Sequence, residues 1–392
     1  MTPANMTHRL ASAALALAIA GGLAAQAPDD RYADLDDPMT PADMQGASVL
    51  DVERYRPTYA LQGCAGGFPE RQEPDAKLAA AVKEAQAFSD GHKGLGLLVL
   101  HDGEPVHESY GDGASVASTS ASASMMKSLI GLLYGVAIED GVLGSVDDPI
   151  GDYIAEWNGD PRGAITLRQM LTMSSGLAPS DFMKIIFAPD IGAEALKLDL
   201  AGEPGAEFSY NNAVTNLLTL ALDRALAAHG EGGVLEYLES ELWCPLGNGP
   251  ARVWVDSTGA ARGYAGMQAT VRDWARVGEM IRNSGRANGR QVVPESWIAA
   301  MASPSAANAQ YGLHVWLGRD HTPQRAYSTQ NPVKVPHSEP FLAEDIVYFD
   351  GFGGQRVYVL PSHDLTVVRI GEVDMTYDDS VIPNLLARAV GD

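Results

Sequence analysis

Two residues of one short segment have the types and spacing that acyl transfer needs. The segment SASMMKSLIGLLYG, residues 122–135, places Ser124 three residues before Lys127 in a run with helical apolar spacing. Residues three apart on a helix share a face, with Cβ atoms about 5–6 Å apart, so the lysine can reach the serine hydroxyl. An apolar cleft would lower the pKa of Lys127 and let it accept the serine proton. The pair is therefore a candidate nucleophile and base.

The same spacing has a simpler interpretation, because an S-x-x-K motif also arises by chance. In that interpretation Ser124 only begins a helix and Lys127 is solvated. The context disfavours it, since Lys127 is followed by SLIGLLYGV on a helix that is apolar nearly all round. A lone lysine there costs free energy unless it is paired.

Two further stretches supply groups that would serve such a pair. GAEFSYNNAV contains Tyr210, a phenol whose pKa can be lowered beside an ammonium, and Asn212, an amide that can bond substrate or lysine. YFDGFGGQRVYVLP places Gly351 at a strand, where a bare backbone lets an acyl group approach N–H groups. A packed aromatic side chain and a glycine-rich hairpin are the simpler alternatives.

The elements that must position these residues follow from hydrophobic periodicity. Asp102-Gly103 between two apolar runs predicts a hairpin over residues 94–111. Helices are predicted over residues 124–139, 166–177, 211–230, 271–282 and 382–390. Short β-branched and aromatic runs follow residue 250. Strands, then helices, then strands predict an α/β sheet made from both ends of the chain, with a helical region inserted.

Charge and cysteine content limit the function classes. Lys and Arg number 27 against 50 Asp and Glu, giving a net charge of -23, which repels phosphate backbones and anionic lipids. Nucleic acid is therefore excluded as a partner. No CxxC or HxH cluster indicates zinc, and we predict no metal and no cofactor. Cys64 and Cys244 are the two cysteines; pairing and two buried thiols both stay open.

The first residues are typical of an export signal. Arg9 precedes an apolar run over residues 10–23 and an A-x-A pattern at residues 25–27. We interpret residues 1–27 as a cleaved signal peptide, with an uncleaved anchor as the alternative, and expect a periplasmic or secreted protein without stable membrane insertion after cleavage. Residues 28–84 are expected to form an N-terminal extension without a core of its own.

The order of the motifs around Ser124, Tyr210 and Gly351 resembles that of the serine β-lactamase and penicillin-binding-protein superfamily. The signature of that superfamily is S-x-x-K, a second polar motif and K-T-G. The resemblance covers about residue 85 to the end and is closest to the class C-like branch, with family VIII carboxylesterases and 6-aminohexanoate-oligomer hydrolases. The supporting stretches include GLLVLHDGEPVHESYG, ITLRQMLTMSSGL, PGAEFSYNN, LWCPLG, YGLHVWL and GFGGQRVYVLPS.

The resemblance implies a fold and roles for the first motifs. It implies a β-lactamase-like domain over residues 85–392, built as an antiparallel sheet flanked by helices. The α/β part of this domain comprises residues 85–115 and 251–392, and an all-helical part is inserted at about 116–250. Ser124 matches the acylated nucleophile and Lys127 the lysine that activates it. Tyr210 matches the tyrosine that passes a proton to the leaving group, and Asn212 the asparagine of Y-x-N.

The K-T-G strand aligns with Phe349-Asp350-Gly351. The backbone N–H of Phe352, with that of Ser124, would then form the oxyanion hole. Where β-lactamases and carboxypeptidases place a cation for a substrate carboxylate, this chain has Phe349 and Asp350. That difference disfavours β-lactams and C-terminal peptides, and Asp350 is expected to repel them.

Two aromatic residues, Phe182 and Trp316, are candidates to line an apolar acyl pocket, with core packing as the alternative for each. The sequence thus predicts a secreted serine hydrolase. Its substrate is a small-molecule ester or unactivated amide, whose acyl group is transferred to Ser124. A β-lactamase or D-amino-acid peptidase is one alternative, and a non-catalytic ligand-binding relative is another. An α/β-hydrolase is disfavoured because no G-x-S-x-G motif is present.

Overall fold

The computed structural model describes residues 30–64, 66–328 and 331–391. The interpretation of residues 1–27 as a signal peptide lies outside the described residues. The helices are α1 Pro41–Met44, α2 Ala76–Gly91, α3 Met126–Glu139, α4 Leu167–Leu171, α5 Phe182–Phe187, α6 Ile191–Ala195, α7 Asn212–His229, α8 Val234–Tyr237, α9 Val271–Arg282, α10 Glu295–Met301 and α11 Val381–Val390.

The strands are β1 Tyr32–Ala33, β2 Thr58–Leu61, β3 Gly94–His101, β4 Glu104–Tyr110, β5 Thr119–Ala121, β6 Ala251–Trp254, β7 Met267–Thr270, β8 Arg286–Ala287, β9 Arg290–Gln291, β10 Trp316–Leu317, β11 Gln324–Ala326, β12 Lys334–Pro336, β13 Val347–Gly351, β14 Gln355–Leu360 and β15 Leu365–Gly371.

The central sheet confirms the predicted fold class, an antiparallel sheet built from both ends of the chain. Its six strands lie in the order β10-β13-β14-β15-β3-β4, so the predicted hairpin β3–β4 pairs with strands that follow residue 340. Asp102 and Gly103 both have positive φ, as a two-residue hairpin of this type requires. Helices α2 and α9 lie against the sheet, α11 packs on α2, and the helices α3 to α8 form the inserted part.

Helix α9 shows how local signals anchor a helix on the sheet. Thr270 caps it and forms a capping box with Asp273, which satisfies the first backbone N–H groups. Trp274, Val277 and Ile281 recur at helical spacing and are buried. The helix lies against β14 and β15 and spans the predicted residues 271–282.

The helix predicted over residues 166–177 is shorter than expected. Thr166 caps it as predicted, but α4 ends at Leu171. Met173 adopts a left-handed φ of 54°, which an α-helix cannot continue through, and Leu177 instead forms a bridge with Leu200. By contrast, α7 closely follows its predicted span, with Asn211 as N-cap.

The residues before the central sheet join a second sheet. Strands β1 and β2 extend a five-stranded sheet in the order β1-β2-β6-β7-β5. Cys64 and Cys244 form a disulfide, which decides between the two alternatives left open by the sequence. The predicted boundary between residues 84 and 85 falls inside α2. Across the described ranges, no helix is both long enough and apolar enough to cross a membrane.

Candidate active site

Ser124 lies on a tight turn that the fold holds in an unusual conformation. The turn, Ala123–Met125, follows β5 and leads directly into α3. Ala123 has a left-handed φ of 45°, which is uncommon for a residue with a side chain. Conformations of this kind persist where the surrounding structure enforces them, and they cluster at active sites. The turn therefore marks Ser124 as a residue whose orientation is fixed by its surroundings.

Lys127 lies on the first turn of α3 with its side chain buried at 1% exposure. Its Nζ is 2.9 Å from Ser124 Oγ, 2.9 Å from Asn212 Oδ1 and 3.0 Å from the carbonyl oxygen of Tyr264. A neutral amine has two N–H donors and one lone pair. Two carbonyl oxygens can accept those N–H groups, which leaves the lone pair for the Ser124 O–H to donate to.

The electrostatics favour that neutral form. Burial lowers the pKa of Lys127 well below the ordinary lysine value, and the negative charge of Asp350 opposes this only in part. His314 is a second buried basic group nearby, but burial lowers its pKa to about 3 and its Nδ1 donates to the Leu171 carbonyl oxygen. Lys127 is thus the group placed to accept the Ser124 proton.

Tyr210 lies just before α7, and its ring centroid is 4.7 Å from Lys127 Nζ. Burial and the charge of Asp350 raise the pKa of Tyr210, and a hydrogen bond with Ser124 opposes this rise. The lowering of this pKa that a neighbouring ammonium could cause is not found, because burial disfavours the phenolate of Tyr210 and also the charged form of Lys127. Tyr210 is therefore a phenol that keeps its proton and can donate it.

The start of α7 fixes Tyr210 and Asn212 relative to Lys127. Asn211 between them caps the helix, and its Oδ1 accepts from the Ala213 N–H at 3.1 Å and from Ser180 Oγ at 2.7 Å. Asn211 Nδ2 donates to a backbone carbonyl oxygen at 2.9 Å. The predicted quartet of Ser124, Lys127, Tyr210 and Asn212 is thereby brought together.

The two predicted pocket aromatics lie in different environments. Trp316 is 2% exposed, stacks on Tyr210 with ring centroids 5.8 Å apart, and carries the Arg325 guanidinium 3.9 Å above its ring. Its burial agrees with the alternative of core packing, and its contact with an acyl pocket stays a prediction. Phe182, on α5, is 56% exposed, and its contact with substrate stays a prediction.

The expected effect of Asp350, on the strand aligned with K-T-G, is corrected by the structure. Phe349 is fully buried against Trp274 of α9, on the face opposite Asp350. Asp350 is also buried, and Arg325 and Arg356 neutralise it at 2.9 and 2.6 Å. Its expected repulsion of substrate carboxylates is therefore wrong, because the charge is compensated.

Gly351, the end of β13, passes close to the turn that carries Ser124. A Cβ built on Gly351 would lie 2.5 Å from the Ser122 carbonyl oxygen, so only glycine fits there. Phe352 follows it and is 46% exposed. The role of the Phe352 N–H in an oxyanion hole stays a prediction.

The roles of three residues at this site were not predicted from the sequence. Tyr264 acts through its backbone carbonyl, which residue type cannot reveal. Tyr327 and Arg325 come from a segment without a readable motif, and they reach the site only through folding. Within the described ranges, no group of three or more His, Cys, Asp or Glu side chains could hold a metal ion.

Comparison with known proteins places this geometry in a family. The family model described as Beta-lactamase matches residues 75–374. The 6-aminohexanoate-dimer hydrolase of Paenarthrobacter ureafaciens is 26% identical over 235 residues, covering 54% of this chain and 58% of that protein. The matched region is thus less than two thirds of that relative's length.

Solved structures share the fold. A candidate 6-aminohexanoate-dimer hydrolase from Bacillus anthracis superposes with a TM-score of 0.68 at 19% identity, covering 87% of this chain and 91% of that one. A family VIII carboxylesterase superposes with a TM-score of 0.60 at 14% identity, covering 82% and 98%. At these identities the likeness establishes the fold alone.

Proposed function

Because the chain belongs to the Beta-lactamase family, we propose that it is a serine hydrolase that works through an acyl-enzyme on Ser124, with carboxylic esters or unactivated amides as substrates. One observation carries the proposal. Lys127 Nζ lies 2.9 Å from Ser124 Oγ, and burial lowers its pKa, so its lone pair can take the serine proton. A non-catalytic binding protein would not need a buried, depressed-pKa lysine on its serine.

In the proposed mechanism, Ser124 Oγ attacks the substrate carbonyl carbon as its proton moves to Lys127 Nζ. The backbone N–H groups of Ser124 and Phe352 stabilise the oxyanion. The bond between the carbonyl carbon and the leaving oxygen or nitrogen then breaks. The leaving group takes a proton from the Tyr210 hydroxyl and departs as an alcohol or amine. The Lys127 ammonium returns a proton to Tyr210. Water hydrolyses the acyl-enzyme by the same groups in reverse order.

The substrate class is inferred from the residues around the nucleophile and the oxyanion hole. A short acyl ester needs the nucleophile, the oxyanion hole and an apolar pocket. Phe182 and Met183, both exposed on α5, and the exposed Phe352 offer apolar surface. The similarity to a 6-aminohexanoate-dimer hydrolase supports linear amides as part of the proposed substrate class. A panel of esters and linear amides, with Ser124→Ala as the blank, tests the proposal.

Ester substrates are expected to exceed β-lactams in kcat/KM. A β-lactam carboxylate would lack one charge-assisted hydrogen bond, a loss of about 1.5–3 kcal/mol or roughly 10–150-fold. Phe349 faces away from the site, and Arg325 is held by Asp350 and Asp379. The measurement compares p-nitrophenyl butyrate with penicillins and cephalosporins on one preparation.

A higher kcat/KM for a β-lactam than for the ester would contradict this prediction. It would mean that a cation such as Lys334 binds the carboxylate, and it would favour the alternative of a β-lactamase or D-amino-acid peptidase.

We also propose export. The predicted signal peptide is one support; the Cys64–Cys244 disulfide is another, because such bonds persist in oxidising compartments. Intact-mass measurement of protein recovered from the native envelope or medium should show loss of about 24–27 residues. A full-length product confined to the cytoplasm would overturn the proposal.

A further inference from the structure

A closed ring of four buried charges lies beside the candidate active site. Arg325 Nη2 is 2.9 Å from Asp350 Oδ2 and 3.0 Å from Asp379 Oδ2. Arg356 closes the ring, 2.6 Å from Asp350 Oδ1 and 2.6 Å from Asp379 Oδ1. All four side chains are at most 1% exposed, and their formal charges cancel.

Stability alone is a weak reason for such a ring. Taking charges out of water is costly, and well-packed apolar side chains often replace a buried ion-pair network without loss of stability. The ring instead holds one acceptor at a fixed place, because both oxygens of Asp350 are bound by arginines.

The group that uses the acceptor is Tyr327. Its hydroxyl donates to Asp350 Oδ2 at 2.7 Å. Its ring packs on the ring of Tyr210 with centroids 5.2 Å apart, and its carbonyl oxygen accepts the Tyr210 N–H at 3.0 Å. Tyr327 thus contacts both the backbone and the ring of the residue proposed to protonate the leaving group.

We propose that Tyr327 and Asp350 are positioning residues for Tyr210: the carboxylate held by Arg325 and Arg356 fixes the Tyr327 ring, and that ring fixes the proton donor. The inference rests on the proposed function, since it requires that Tyr210 gives its proton to the leaving group. On β13, the strand that the resemblance aligns with K-T-G, this chain thereby has a compensated carboxylate that orients a tyrosine.

The role predicts a dependence on the leaving group. An alkoxide leaves only with a proton, whereas p-nitrophenolate leaves without one. A misplaced Tyr210 should therefore slow the acylation of Ser124 by an alkyl ester far more than by a p-nitrophenyl ester. A loss of general packing would slow both alike, because the acyl group, the nucleophile and the base are shared.

The test is Tyr327→Phe, which removes the hydroxyl but keeps the ring and all four charges. We expect kcat/KM for ethyl butyrate to fall about 10- to 100-fold, and kcat/KM for p-nitrophenyl butyrate to change less than about 3-fold. Tyr358→Phe is the matched control. It removes a buried tyrosine hydroxyl on β14 that lies 3.2 Å from the Tyr377 hydroxyl, and both substrates should keep wild-type values.

Asp350→Asn provides a second variant. If thermal unfolding shows that this variant is folded, it should also lower kcat/KM for ethyl butyrate more than kcat/KM for p-nitrophenyl butyrate. Because Asp350 also acts on the pKa of Lys127, which both esters require, the deciding variant is Tyr327→Phe, which keeps the carboxylate. Equal losses of Tyr327→Phe on both esters, or no loss on the alkyl ester, would overturn the inference and leave the proposed function intact. A wild-type protein that is neither labelled at Ser124 by a fluorophosphonate nor active on any ester would overturn both.

Discussion

Ser124→Ala is expected to lower kcat for an ester substrate by at least about 10⁴-fold, because no acyl-enzyme can form without the hydroxyl. The fold should persist. Ser124 is not the N-cap of its turn, and its loss removes the hydrogen bonds of its hydroxyl with Lys127 and Tyr210, so the free energy of unfolding should change by about 1–3 kcal/mol at most. The measurements are steady-state kinetics and thermal unfolding.

Ser303→Ala is the control for this prediction. Ser303 is exposed at the end of α10 and donates only to the Ala299 carbonyl oxygen, so both activity and stability should stay near wild type. A Ser124→Ala variant that retains a tenth of the activity would exclude Ser124 as the nucleophile.

Lys127→Ala is expected to lower kcat/KM by about 10³-fold or more, because the nearest other base, His314, is bound on both ring nitrogens. Small primary amines added to the buffer should restore part of the rate by occupying the vacated space. The control is Lys83→Ala, an exposed lysine on α2, which should leave kcat/KM unchanged.

The pH profile gives a second measurement of the same role. An ammonium has no lone pair, so kcat/KM of the wild type should fall as pH decreases through the pKa of Lys127. Since burial lowers that pKa, the fall should lie well below the range of an exposed lysine. A folded Lys127→Ala protein with wild-type kcat/KM, or loss of activity on replacing a histidine alone, would refute the assignment.

The sequence predicted those parts of the molecule that local signals encode. Periodicity and caps predicted α3, α7 and α9, and Asp102-Gly103 predicted the first hairpin. The spacing of Ser124 and Lys127 places both on one side of a helix start, so their contact required no tertiary information.

The predictions that failed concern properties that depend on burial and on contacts between residues far apart in the sequence. Thr166 begins a helix as predicted, but a left-handed Met173 ends the helical path, and nothing local to that residue encodes this. The pKa of Tyr210 rises because the folded chain excludes water around it. The charge of Asp350 was misjudged because its partners are Arg356, opposite it on β14, and Arg325, on β11 of a separate two-stranded sheet, and Arg325 meets Asp350 only in the folded chain.

The central claim is that Ser124 carries the acyl group. The most direct measurement treats the purified protein with a fluorophosphonate, digests it, and locates the adduct by peptide mass spectrometry. We predict one adduct, on Ser124, that appears as esterase activity disappears and is absent from Ser124→Ala. An adduct on another residue, or full activity with Ser124 unmodified, would contradict the account.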